Sequence, residues 1–177
     1  MSSANSSAPA DAGAPPIVDA FIRVAEVSCC AYAEPCDAIR LAELEGALAE
    51  SSGGAADWLR GYIRFSGDCH GHLTLHVPAA VAADLVRAFL GLTPDDPLTE
   101  TELLDGFGEF GNMVCGAWLT EAARMLGFTL SPPIVIHEAP GWSPVKALEA
   151  VDVEGFAYAL TVNDQPAVVR VSLEFDV

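Results

Sequence analysis

Apolar residues along the chain follow two periods in turn. From Ile17 to about Tyr32, the positions Ile17, Phe21, Val24 and Ala25 recur at helical spacing. Pro35 is expected to stop that helix, because its ring and missing N–H cannot continue one. Residues 37–45 are ambiguous, with strand slightly preferred because strands follow. Ser51-Ser-Gly-Gly54 reads as a loop. Leu59, Gly61, Ile63 and Phe65 then alternate with Trp58, Arg60, Tyr62 and Arg64, the period of a half-buried strand. After a turn at Gly67-Asp68, Leu73, Leu75 and Val77 make the return strand of a hairpin. Val81, Leu85 and Phe89 lie four apart on a helix that Gly91 ends.

A connector from Pro94 to Pro97 leads into Thr99-Glu-Thr-Glu102, a capping-box pattern that starts the next helix. That helix can run to Leu126 with Gly127 as its stop, about 28 residues or roughly 42 Å at 1.5 Å per residue. Pro132-Pro133 blocks continuation, and Ile134-Val-Ile136 begins a strand. Phe156, Tyr158, Leu160 and Val162 alternate, as do Val169, Val171, Leu173 and Phe175, with Asn163-Asp164-Gln165-Pro166 as the turn between them. Hairpins with helices gathered between them imply an α+β fold, an antiparallel β-sheet packed with long helices. The two halves suggest a loose internal duplication of a helix-plus-hairpin unit, with no repeat visible residue by residue.

Composition narrows the partners. Eight Lys and Arg stand against 25 Asp and Glu, a formal net charge of −17. Such a surface repels phosphate backbones and anionic headgroups, so nucleic acid and membrane are not expected partners. No apolar run approaches the roughly 18 residues of a membrane span. Residues 1–16 are rich in Ser, Ala and Pro, without a basic or apolar stretch. They read as a disordered lead-in rather than a signal peptide, leaving residues 17–177 as one domain. Five cysteines, an odd number, fit free thiols in a cytoplasmic protein.

The long helix carries the candidate chemistry. With Asp105 at zero and 100° per residue, Glu109 lies at about 40°, Asn112 at about −20° and Gly116 at about 20°. Leu103, Phe107, Phe110, Val114, Trp118 and Met125 fall on the opposite side, the stripe expected to face the sheet. A solvated helix face is the bland explanation for the acids. Against it, no Lys or Arg is placed on that face to pair with them. Gly106, Gly108, Gly111 and Gly116 also interrupt the helix, each costing about 1 kcal/mol relative to Ala. Glycines there suit close approach to the backbone, by a partner or by another part of the chain.

The run Asp105-Gly-Phe-Gly-Glu109-Phe-Gly-Asn112, followed by Pro132-Pro133, resembles the signature of the CheC/CheX/FliY family: Asp or Ser, three residues, Glu, two residues, Asn, and a later Pro. The hairpin from Phe65 to Leu75 and the Ala-rich helix after it resemble the segment preceding that motif in CheX proteins. The proline arrives slightly earlier here than in the family. The first helix has Glu26 followed three residues on by Cys29, not a second Glu-x-x-Asn, and a single motif resembles CheX more than CheC.

The resemblance implies a protein phosphatase that removes the aspartyl phosphate of a CheY-like response regulator. Asn112 would orient the attacking water, and Glu109 would pair with the regulator's lysine. Asp105, Gly108 and Gly116 would meet the partner. The chain would need no cofactor of its own, the Mg²⁺ being the regulator's, and like CheX it would form a homodimer. The alternative is a non-catalytic module that docks on a signalling or flagellar-switch protein through the same helix.

Other constellations carry less. On one strand His72 and His76 would be about 13 Å apart, too far to share a metal whose ligands each sit about 2 Å away. They are expected on the strand surface, with no metal site. Cys29-Cys30 reads as packing rather than redox chemistry. No phosphate loop, nucleophile elbow or Cys/His dyad is present.

Overall fold

The computed structural model describes residues 16–54, 56–67, 69–121, 127–150 and 155–174. The expected lead-in up to residue 15, the helix extension over residues 122–126, Asp68 and Phe175 lie outside them. Five helices and seven strands are described in chain order. The first half holds α1 (Pro16–Cys29), β1 (Ala33–Pro35), α2 (Ala38–Ser51), β2 (Trp58–Gly67), β3 (His70–Pro78) and α3 (Ala79–Leu90). The second half holds α4 (Glu100–Glu121), β4 (Phe128–Leu130), β5 (Ile134–His137), α5 (Pro144–Glu149), β6 (Gly155–Val162) and β7 (Gln165–Glu174).

All strand pairs are antiparallel, in the order β1-β6-β7-β3-β2-β4, with β5 also on β2. The inward positions read from the sequence are the buried ones: Leu59, Ile63, Phe65, Leu73, Leu75, Val77, Val169 and Val171 form one core with α1, α3 and α4. On the other face α2 and α5 cover β6 and β7 through a smaller cluster of Leu41, Ala159 and Val168. The fold is α+β, as the strand and helix periods imply.

Its topology makes the duplication explicit. Helix, strand, helix and hairpin occur twice, as α1-β1-α2-β2-β3 and as α4-β5-α5-β6-β7. The pairings β1 with β6, β5 with β2 and β3 with β7 relate the halves by a pseudo-twofold. With that frame a residue correspondence emerges that the sequence alone does not reveal. Asp19, Phe21 and Cys29 on α1 match Asp105, Phe107 and Cys115 on α4. Both aspartates are exposed, and both Phe and both Cys are buried.

Two expectations give way. Residues 38–51 are helical rather than extended, because Asp37 caps α2 by accepting the Arg40 N–H at 2.7 Å. Only Leu41 and Leu44 of α2 are buried, so its helical period is faint. α1 also ends earlier than Pro35. Cys30 adopts a left-handed φ of 51°, and the Ala31 N–H returns to the Ala25 carbonyl at 3.1 Å, which turns the chain off the helix there. The strand β4 and the helix α5 are too short to leave a period of their own. Phe89 proves partly exposed rather than core. The last hairpin turns on Asn163 and Asp164 alone, both at positive φ, the two-residue turn these side chains favour.

Candidate functional site

α4 starts where the capping box closes on itself. The Thr99 N–H and hydroxyl donate to Glu102 Oε2 at 2.8 and 2.6 Å, and the Glu102 N–H donates back to Thr99 Oγ1 at 3.3 Å. The Thr99 hydroxyl, then its N–H, hold the Glu102 carboxyl below its usual range. At the same end His137 of β5 ties in two carboxylates. Its Nδ1 lies 3.0 Å from Asp57 and its Nε2 lies 2.7 Å from Glu100 Oε1.

The inner side of α4 explains three of its four glycines. A Cβ at Gly106 would meet Val86 Cγ1 of α3 at 2.6 Å, one at Gly108 would meet Pro133 Cγ at 2.8 Å, and one at Gly111 would meet Ile63 Cδ1 of β2 at 2.5 Å. Each is a close approach within the molecule. Gly108 is buried beneath Pro133, so the partner contact expected at that position gives way to an intramolecular one. Gly116 differs. It is half-buried, and a methyl group added there would have nothing within 4 Å, so that stretch of helix is open to approach. Phe110 anchors the helix to α1, its ring 5.4 Å from Phe21 in an edge arrangement.

The outward side is narrower than an angular projection suggests. Asp105 and Glu109 are exposed, and neither makes an ion pair or hydrogen bond with another described residue. Together with Leu104 they form one wall of an open groove of about 650 Å³, whose other wall is residues 132–135. Ile134 on that wall is 58% exposed. Asn112 shares the face but is half-buried rather than exposed. Its Oδ1 is shielded from solvent and has no hydrogen-bond partner among the described residues. At the matching positions of α1 stand Arg23 and Glu26, and Arg23 is spent on an ion pair with Glu121 of α4. The Glu–Asn pair therefore occurs on one helix of the duplicated two.

The family model described as Chemotaxis phosphatase CheX matches residues 59–151, more than half of the chain and all of α4. The chain belongs to the CheX family. Among solved structures it shares the fold of CheX from Vibrio vulnificus, at 17% identity and TM-score 0.64 over 94% of this chain and 100% of that one. A putative chemotaxis protein from Desulfovibrio vulgaris Hildenborough has 19% identity and TM-score 0.63, over 90% of this chain and 94% of that one. The CheX of a CheX–CheY–BeF3–Mg²⁺ complex from Borrelia burgdorferi has 14% identity and TM-score 0.57, over 90% and 96%. No curated protein sequence matches. The CheX match begins within β2, so α1 with its Arg23 and Glu26 lies outside it. No helix among the described residues is long and apolar enough to cross a membrane.

The groove wall is the part of the site that sequence reasoning misses. Pro132 and Pro133 are legible as helix breakers and as a family feature, yet it is the contact of Pro133 with Gly108 that sets this segment beside Glu109. A helix glycine followed by a distant proline is the only signal, and spacing alone cannot say that the two meet.

Proposed function

We propose that this CheX-family chain hydrolyses the aspartyl phosphate of a CheY-like response regulator, using Glu109 and Asn112. One observation carries the reading: Asn112 holds a buried amide oxygen without a donor among the described residues, one helical turn from a carboxylate without a cation. A buried acceptor left unpaired costs about 1–3 kcal/mol, and native structures leave few of them. An acceptor beside an exposed acid suits a water and a lysine brought by a partner.

In this reading Glu109 pairs with the regulator's lysine and fixes the docking register. The Asn112 amide turns about its Cβ–Cγ bond to offer Oδ1 to a water held in line with the scissile P–O bond. Water adds to phosphorus, the bond to the regulator's aspartate breaks, and inorganic phosphate leaves as the carboxylate is restored. The regulator's own Mg²⁺ neutralises the phosphoryl oxygens, so this chain supplies positioning rather than covalent chemistry. The apolar rim at Ile134 and the open backbone at Gly116 serve docking. The Borrelia burgdorferi CheX was solved bound to CheY with Mg²⁺, which supports a partner of this kind.

Phosphate release from phosphorylated regulators of the same organism tests the proposal. Acceleration above each regulator's own rate is expected for at least one of them. Binding without acceleration would make the chain a docking module instead.

The same reading includes a homodimer. β1 pairs with β6 over Leu160–Val162 and the Cys36 N–H donates to the Ala159 carbonyl at 3.1 Å, which leaves the edge of residues 155–158 without a strand partner among the described residues. Phe156 there is 52% exposed, and such edges are usually covered. A monomer mass by light scattering at high micromolar concentration would contradict it.

A further inference from the structure

The strand β5 pairs with β2 along residues 134–137, and no other described strand lies on its outer side. The register decides which backbone groups are left over. The Glu138 N–H donates to the Trp58 carbonyl at 2.8 Å. By the alternation of an antiparallel pair, the backbone groups of Ile136 and Ile134 then turn toward β2 as well, opposite Arg60 and Tyr62. The N–H and C=O groups of Val135 and His137 point the other way. They form a short open edge of the kind to which a further strand adds.

The two sides of this edge differ in chemistry. Val135 packs beside Gly108 and the His137 ring reaches Glu100, so the odd-numbered side chains face α4. On that side stand Glu100, Asp105 and Glu109, all exposed. The latter two share the groove with residues 132–135. On the opposite side Ile134 is 58% exposed and Ile136 is 40% exposed. Farther across that face the sheet is covered. Trp142 stacks on His76 with ring centroids 4.5 Å apart, so His76 is buried and is not the surface histidine expected from the strand period. Trp142 and Glu138 line a hollow of about 440 Å³ there with Arg60 and Tyr62, and the two isoleucines lie outside it.

A strand added at β5 would set its alternate side chains against acids on one side and isoleucines on the other. A second copy of this chain matches poorly. Pairing β5 with itself would bring the acids of both copies to the same side of one sheet, on a chain of net charge −17. We propose that β5 takes an extended segment of the docking response regulator as an added strand, its residues alternating between Lys or Arg toward α4 and apolar side chains toward Ile134 and Ile136. The inference rests on the phosphatase reading, since the edge continues into the Glu109 groove through residues 134 and 135. The added backbone bonds fix the angle at which the regulator meets the groove, and the alternating side chains select among regulators.

The test is amide hydrogen exchange of the full-length chain by ¹H–¹⁵N NMR, alone and with a regulator held in its beryllofluoride–Mg²⁺ form. Alone, the Val135 and His137 amides should exchange at least about tenfold faster than those of Ile134 and Ile136. In the complex the same two amides should slow by about tenfold or more. Val135→Pro removes the outward N–H without taking a bond from β2 and should weaken binding by about tenfold. Val135→Ala keeps that N–H and should bind like the wild type. Binding that leaves both amides unprotected would overturn this inference while the phosphatase reading stands. Protection that grows with the concentration of the chain alone would assign the edge to a second copy and overturn it too. A chain that binds no regulator of its organism would remove the phosphatase reading and this inference together. Exchange in the wild type decides even if the proline variant misfolds.

Discussion

Pro133 occupies the space that a side chain at residue 108 would need: its Cγ lies 2.8 Å from where a Cβ on Gly108 would fall. The proline ring is rigid, so neither partner can yield without moving the segment that walls the groove beside Glu109. Gly108→Ala should therefore lower stability by about 1–2 kcal/mol in denaturant titration, overpacking outweighing the gain in helix propensity. Gly116→Ala meets no atom within 4 Å and should instead raise stability by about 0.5–1 kcal/mol. If Gly116 is a docking position, that stabilised variant should bind the regulator more weakly, which surface plasmon resonance would show.

Phe110 is 1% exposed and packs against both Phe21 and Phe107. Phe110→Ala should cost about 3–5 kcal/mol in chemical denaturation, as a core truncation that leaves a cavity between α1 and α4.

His137 joins Asp57 of the β2 approach to Glu100 of α4, and hydrogen bonds to Asp57 and then Glu100 raise its pKa above 6.5. A raised folded pKa stabilises the protein most below the unfolded value, and that stabilisation fades as pH rises through the folded value. His137→Asn should therefore lose more stability near about pH 6 than near about pH 9, as thermal melts at both values would show. Direct ¹H–¹⁵N titration of His137 should give a pKa above that of a free histidine.

Much of the fold is legible in the sequence because burial on one face imposes a period. The β2–β3 and β6–β7 hairpins, the capping box and the Gly91 stop all follow from local chemistry that tertiary contacts reinforce. α2 is not legible, since two buried residues make too narrow a stripe to outvote its neighbours. The duplication needs the strand order before Asp19 and Asp105 can be matched. At the site, Asp105 and Glu109 are readable from helical angle alone. The shielding of Asn112 is not, because the buried arc of α4 is widened by glycines that admit Val86, Ile63 and Pro133. The polar sheet face is visible as alternation of Arg60, Tyr62 and Arg64, but its depth comes from Trp142 and Glu138, far along the chain.

Glu109 has no cation of its own among the described residues, so its pairing partner is expected from the regulator. Glu109→Ala should slow the dephosphorylation and weaken docking together, and the wild-type affinity should fall as salt rises while the variant's changes less. Stopped-flow fluorescence of binding at two ionic strengths would show the difference.

The central claim is that the Asn112 amide positions the attacking water. The direct measurement is the rate of phosphate loss from a phosphorylated regulator that the wild type acts on, compared with Asn112→Ala at saturating concentration. Lost positioning of this kind is expected to reduce the acceleration by about 10²-fold or more, with docking affinity nearly unchanged and the melting temperature raised by removal of the unpaired buried oxygen. An Asn112→Ala protein that binds normally and still accelerates phosphate loss as fast as the wild type would contradict the account.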